Sequence, residues 1–289
     1  MTSRLSFLRG LSQLSFLFGL AVALPGVSTG CAARAQKTPT PAAQINGEEL
    51  ARRPPPPDEH YYLIMFGSQN RLKQPRYTHT WGTLVHTKKV AGKEELEVDE
   101  ITISWLPTDL TVRPLKLRVK PGTNLGMHET IKYVKENREH IDMWGPFEIW
   151  HGLAYRFKIQ KEFLDSGVVG YQCTDTIGEA ARKGNGCDCI HSISDLDPAY
   201  SRERYPLIYF GASATENLVD RIMKSPVTID GQTTHDWLLP RLGLCCDDIN
   251  RRTYTGHIEP YVPGYQMGLE KGPGAKEPAP KLPLPVPKK

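Results

Sequence analysis

The chain has little continuous apolar sequence, no dense run of one charge and no glycine-rich nucleotide-binding signature. Its longest apolar stretch, residues 11–27, is broken by Gln13, Gly19 and Pro25. A comfortable membrane span needs roughly 20 apolar residues, so this stretch falls short. Lysine and arginine (36) nearly balance aspartate and glutamate (32), and the net charge of +4 is spread along the chain. No basic cluster interleaves with aromatic residues, so the charge reads as a mixed solvated surface and no nucleic-acid partner is expected. Lys-Pro-Gly-Thr-Asn at 120–124 is a turn, since the phosphate-loop pattern is absent. There is no dinucleotide fingerprint, no Gly-x-Ser-x-Gly elbow and no internal repeat. No cofactor is implied.

What is present begins with an address. Residues 1–10 carry Arg4 and Arg9 without an acid, an apolar run follows, and Ser28, Thr29 and Gly30 precede Cys31. A basic start, a short apolar run and small residues make a secretory signal peptide over residues 1–30. Ser-Thr-Gly-Cys at 28–31 resembles the lipobox of bacterial lipoproteins, although a lipobox places Leu or Val where this chain has Ser28. The resemblance implies cleavage before Cys31, a lipid on its thiol, and a membrane-anchored place in the bacterial cell envelope. The rival reading is ordinary cleavage after Ala33-Arg34-Ala35.

Hydrophobic residues make up 39% of the chain and the mean hydropathy is −0.42, and two tails account for much of that low value. Residues 31–58 include four consecutive prolines at 54–57 and read as a stiff tether. Residues 267–289 are rich in proline and lysine and read as a polyproline-like or disordered tail. One globular domain is expected over residues 59–266.

Within it, 61–66 has strand composition, ended by Gly67. Residues 77–86 alternate, which puts His79, Trp81, Thr83 and Val85 on one side. A charged loop at 88–95 and a returning strand over 96–106 complete a hairpin. Further strands are expected at 115–120 and 168–173. Helical spacing is read at 124–139, and at 146–166 with Gly167 as the natural C-cap. Ser213 and Glu216 form a capping box that opens a helix to Lys224. Hairpin-like rather than alternating order predicts an α+β fold with an antiparallel sheet and packed helices.

The chemistry rests on cysteine. Besides Cys31 the chain holds Cys173, Cys187, Cys189, Cys245 and Cys246, an odd set that leaves one thiol over after two disulfides. Cys189 is the best candidate for that thiol, because it precedes an apolar-spaced segment of Ile190, Ile193 and Leu196. A cysteine on the first turn of a helix meets free N–H groups and a positive dipole end, which stabilise the thiolate. The plainer alternative is a small core residue or half of a disulfide. His79 likewise has a plain alternative, a half-buried strand histidine bonded to a carbonyl. Zinc on Cys187, Cys189 and His191 with Cys245, Cys246 and His257 is disfavoured, since Cys-x-Cys lacks the usual gap between thiols. Asp195, Asp197, Asp247 and Asp248 lack a calcium-loop pattern and read as surface carboxylates, so no metal is expected.

Asp-Cys-Ile-His-Ser at 188–192, read with Thr-His-Thr-Trp-Gly at 78–82, resembles the permuted papain-like superfamily that includes the NlpC/P60-like and lecithin:retinol-acyltransferase-like proteins. In that group a histidine on an early strand pairs with a later cysteine at a helix start. The resemblance covers about half of the chain and implies a permuted papain-like fold. It makes Cys189 the nucleophile and His79 the general base, acting on an amide, peptide or ester carbonyl. Ser104 on the next strand would orient the imidazole, and the Cys189 N–H would help form an oxyanion hole. Asp188 stands where the family string commonly has asparagine, and Pro198 would stop the helix early. Two functions follow: a thiol hydrolase or acyltransferase, or a non-catalytic, disulfide-stapled envelope lipoprotein that binds or supports.

Overall fold

A computed structural model describes residues 58–92, 95–196, 210–224, 228–230, 235–244 and 249–254. The expected leader, Cys31, the proline-rich tether and the C-terminal tail lie outside these residues. The centre is a sheet in the order β10-β6-β1-β2-β3, with β9 added to β6. Its strands are β1 (Glu59–Gln69), β2 (Thr78–Lys89), β3 (Leu96–Ile103), β6 (His140–Ile149), β9 (Thr228–Asp230) and β10 (Ile249–Arg252). All pairs are antiparallel except β10 with β6, so the sheet is mixed and mostly antiparallel. With the helices described below, the fold class is α+β.

β1 has neighbours on both edges and helices on both faces, which is why Tyr-Tyr-Leu-Ile-Met-Phe is a continuous apolar run rather than an alternating one. One face carries Leu63, Met65 and Leu84 under α2 (His151–Asp165) and α5 (Ala212–Lys224), with Phe157 and Leu218 fully buried between them. The other carries Ile64, Phe66, Trp81 and Val85 under α1 (Met127–Glu136), through Met127, Ile131 and Val134. α6 (Leu238–Arg241) closes the same side with Leu238. The Glu129 carboxylate accepts the Gly126 N–H at 2.9 Å and fixes the start of α1.

Several local expectations shift. Gly67 does not end β1. A Cβ there would come within 2.5 Å of Thr215 Oγ1, so this glycine lets α5 lie close on the strand. Residues 146–149 are not helical. They continue β6, and α2 starts only at His151. The sequence hides β6 behind Gly145-Pro146, which forms a bulge where the register against β1 shifts between Leu63 and Met65. Gly145 has φ +88°, and a Cβ would sit 2.6 Å from the Leu63 carbonyl. α5 begins at Ala212, so Ser213 lies inside it and donates back to the Phe210 carbonyl. Residues 115–120 form no strand; Lys120 makes one isolated bridge to Tyr171.

Two small features complete the site's frame. β3 stops at Ile103, and the chain turns at Ser104 into β4 (Trp105–Pro107), which pairs with β5 (Gly122–Asn124) instead of β2. β7 (Gly170–Tyr171) runs parallel to β8 (Gly186–Cys187) and delivers Cys187, Asp188 and Cys189 beside the 171–175 segment. Between them lies α3 (Gly178–Lys183), and after Cys189 comes α4 (His191–Ser194). Among the described residues no helix is long and apolar enough to cross a membrane.

Candidate functional site

The site forms where β3 leaves β2. β2 is paired with β3 only from Gly82 onward, which opens its edge at residues 79–80. His79 lies there with 2% exposure. Its ring stacks on Trp81 two residues on, centroids 5.4 Å apart and planes 17° apart, as same-side strand neighbours do. His79 Nε2 is 2.9 Å from Ser104 Oγ, the hydroxyl at the turn between β3 and β4. The Ser104 N–H in turn donates to Asn124 Oδ1 at 3.0 Å, which fixes that turn. His79 Nδ1 is buried and has no hydrogen-bond partner among the described residues. Burial lowers the imidazole pKa to about 3, so the ring is neutral.

Cys189 reaches the same strand position. The Thr80 N–H, the amide that joins His79 to Thr80, favours its thiolate form and partly opposes the rise that burial imposes. The residue is partly buried and packs against the core that α2 and α5 cover. Ser192 Oγ donates to its carbonyl at 2.8 Å. Ionisation of Cys189 would raise the phenol pKa of Tyr171 of β7 and of Tyr133 of α1. Cys173 and Cys189 are free thiols, and Cys187 Sγ–H donates to the Asp188 carbonyl at 3.3 Å. Cys245, Cys246 and His257 lie outside the described residues.

The electrostatics of Cys189 run against the sequence expectation of a depressed thiol pKa. Burial pushes it well above the ordinary value, and the adjacent Asp188 carboxylate adds to the rise. The helix expected to stabilise the thiolate, α4, has only 4 residues and carries little dipole. Its first N–H groups are also taken, because Asp188 Oδ1 accepts Ile190 N–H at 2.9 Å and His191 N–H at 2.7 Å. The resting state is a neutral thiol and a neutral imidazole, not a preformed ion pair. Cys173, which shares the region, is pushed up to about 12 by burial and then by Asp188.

Two groups have weak or no signal in the sequence. His191 Nδ1 is 2.8 Å from Asp175 Oδ1 and 3.1 Å from Asp188 Oδ2, with all three residues buried. Among the described residues this trio, rather than any cysteine set, is the group with metal-ligand proximity. His191 is visible in Cys-x-Cys-x-His, but Asp175 lies well upstream in a loop with no motif around it. The other is Glu139, 7% exposed, whose carboxylate accepts Ser68 Oγ–H at 2.6 Å. Ser68 is the cross-strand partner of His79. Burial raises the Glu139 pKa to about 7 despite that bond.

Comparison with protein-family models, curated proteins and solved structures finds no match to the chain.

Proposed function

We propose that the chain is an exported thiol hydrolase or acyltransferase of the permuted papain-like type, tethered to the membrane of a bacterial envelope by a lipid on Cys31. The reading rests on one observation: the Thr80 amide, which follows His79 on β2, favours the Cys189 thiolate, while His79 has its Nε2 engaged by Ser104 and its Nδ1 without a partner among the described residues. In the tautomer where Nε2–H donates to Ser104, Nδ1 presents its lone pair as the base.

The chemistry follows from two neutral groups. As Cys189 sulfur bonds to the carbonyl carbon of an amide, peptide or ester, its proton passes to His79 and the carbonyl electrons move to oxygen. Collapse expels the amine or alcohol, which takes the proton from the imidazolium and leaves a thioester on Cys189. Water, or an acceptor alcohol or amine, then attacks with His79 again as base. The low basicity of the buried imidazole makes proton transfer the costly part of the first step.

The second reading, a non-catalytic envelope lipoprotein with a binding or structural role, is favoured by the raised thiol pKa and by the carboxylate beside it. Acylation separates the two. The full chain is incubated with p-nitrophenyl acetate and mapped by mass spectrometry. Acetylation of Cys189 is expected in the wild type and lost in His79→Ala. No acylation of Cys189, or equal acylation in His79→Ala, overturns the hydrolase reading.

A further inference from the structure

The loop that carries Cys189 is held by a charged cluster the proposed chemistry does not use. A single nitrogen, His191 Nδ1, meets carboxylate oxygens of Asp175 at 2.8 Å and Asp188 at 3.1 Å. The three ligand atoms lie within 4.8 Å of one another in the interior. Two carboxylates that close repel each other unless a cation stands between them. Asp188 has a second task, since its other oxygen accepts the two amides that follow Cys189. The groups that act electrostatically on the thiol are Asp188 from its own loop, Cys173 from the neighbouring segment and the His79–Thr80 amide from β2, and its ionisation would act in turn on Tyr171 of β7 and Tyr133 of α1.

We infer that His191 is a positioning residue for Cys189: as an imidazolium clamped by Asp175 and Asp188, it holds the Asp188 carboxylate in its capping pose and offsets that negative charge at the adjacent thiol. The role rests on the thiol-hydrolase reading for its function, but not for its physics. Burial works against the charged ring, and the two carboxylates outweigh it, raising the His191 pKa to about 10. The cluster therefore stays charged across neutral pH.

The test is the pH profile of Cys189 alkylation by iodoacetamide in the full chain, read by peptide mapping. His191→Gln removes the cation and leaves two buried carboxylates. Its Cys189 rate near neutral pH is expected to fall by about tenfold, the effect of raising a thiol pKa by about one. Adding Asp188→Asn to His191→Gln should restore the profile, because the substituted side chain keeps an oxygen that can accept both amides while carrying no charge. A packing role would not be rescued that way. An unmoved profile in a folded His191→Gln protein overturns the inference. Should that variant not fold, NMR of the wild type decides: the His191 ring is expected doubly protonated at neutral pH, and a neutral ring overturns it. So does a stoichiometric divalent metal in the purified wild type that is lost in His191→Gln, which would make the trio a metal centre. Failure of the hydrolase reading looks different, as Cys189 would then alkylate as described yet never acylate.

Discussion

Replacing Glu139 by glutamine should stabilise the fold, and increasingly so as pH rises. Glu139 sits between α1 and β6 with 7% exposure, and Ser68 Oγ–H is its hydrogen-bond donor at 2.6 Å. One neutral donor does not offset the loss of water around a carboxylate, so the folded pKa rises from 4.5 to about 7. Below the unfolded value both states hold the proton and nothing is lost. Between the two values the unfolded chain releases the proton while the folded chain keeps it, so stability falls as pH rises. Above the folded value the loss is constant at about 3 kcal/mol, the free energy of that rise. The amide in Glu139→Gln can accept from Ser68 but cannot ionise. Any cost of that amide is the same at every pH, and the pH dependence of the difference is what is read. Urea unfolding of both proteins, followed by tryptophan fluorescence, should show a gap that grows by about 3 kcal/mol between about pH 4 and pH 8. A gap that stays constant, or that turns in favour of the wild type as pH rises, refutes the reasoning.

Ser104→Ala leaves buried His79 Nε2 without its partner, and should cost about 1–3 kcal/mol of stability while slowing Cys189 acylation. A variant as stable and as reactive as wild type would separate Ser104 from the imidazole. The neutral His79 has the opposite acid behaviour to Glu139. Its folded pKa of about 3 lies below the ordinary 6.5, so it lowers stability as pH falls between those values. Histidine NMR should find one ring still neutral in the folded protein at about pH 5, and a ring that titrates normally counts against the burial argument. For the address, Cys31→Ser should release the protein from membranes or block its processing. Wild-type protein in the soluble fraction with an unmodified N-terminus at Gln36 argues against the lipid.

Periodicity alone determined the local elements that carry their own apolar pattern. The alternation of residues 77–86 marked a strand with Trp81 and Val85 on one side, and β2 pairs with β3 as the charged loop between them implied. Met127, Ile131 and Val134 marked the buried stripe of α1, and Gly167, with φ +75°, follows the end of α2. These signals are legible because each is a repeat within one element. β6 was not legible, since Gly145-Pro146 interrupts it and its place beside β1 comes from a partner far away along the chain. The candidate site divides the same way. Cys189, His79 and Ser104 could be named from short strings and their order along the chain. The charge state of the site depended on what folding packs around it. Burial lowers the His79 pKa and raises that of Cys189, and Asp188 takes the amides that a bare helix start would have offered the thiolate. Asp175 meets His191 only because β7 and β8 run side by side. Ionisation energies are set by neighbours in space and by lost solvent, and neither is written in local sequence.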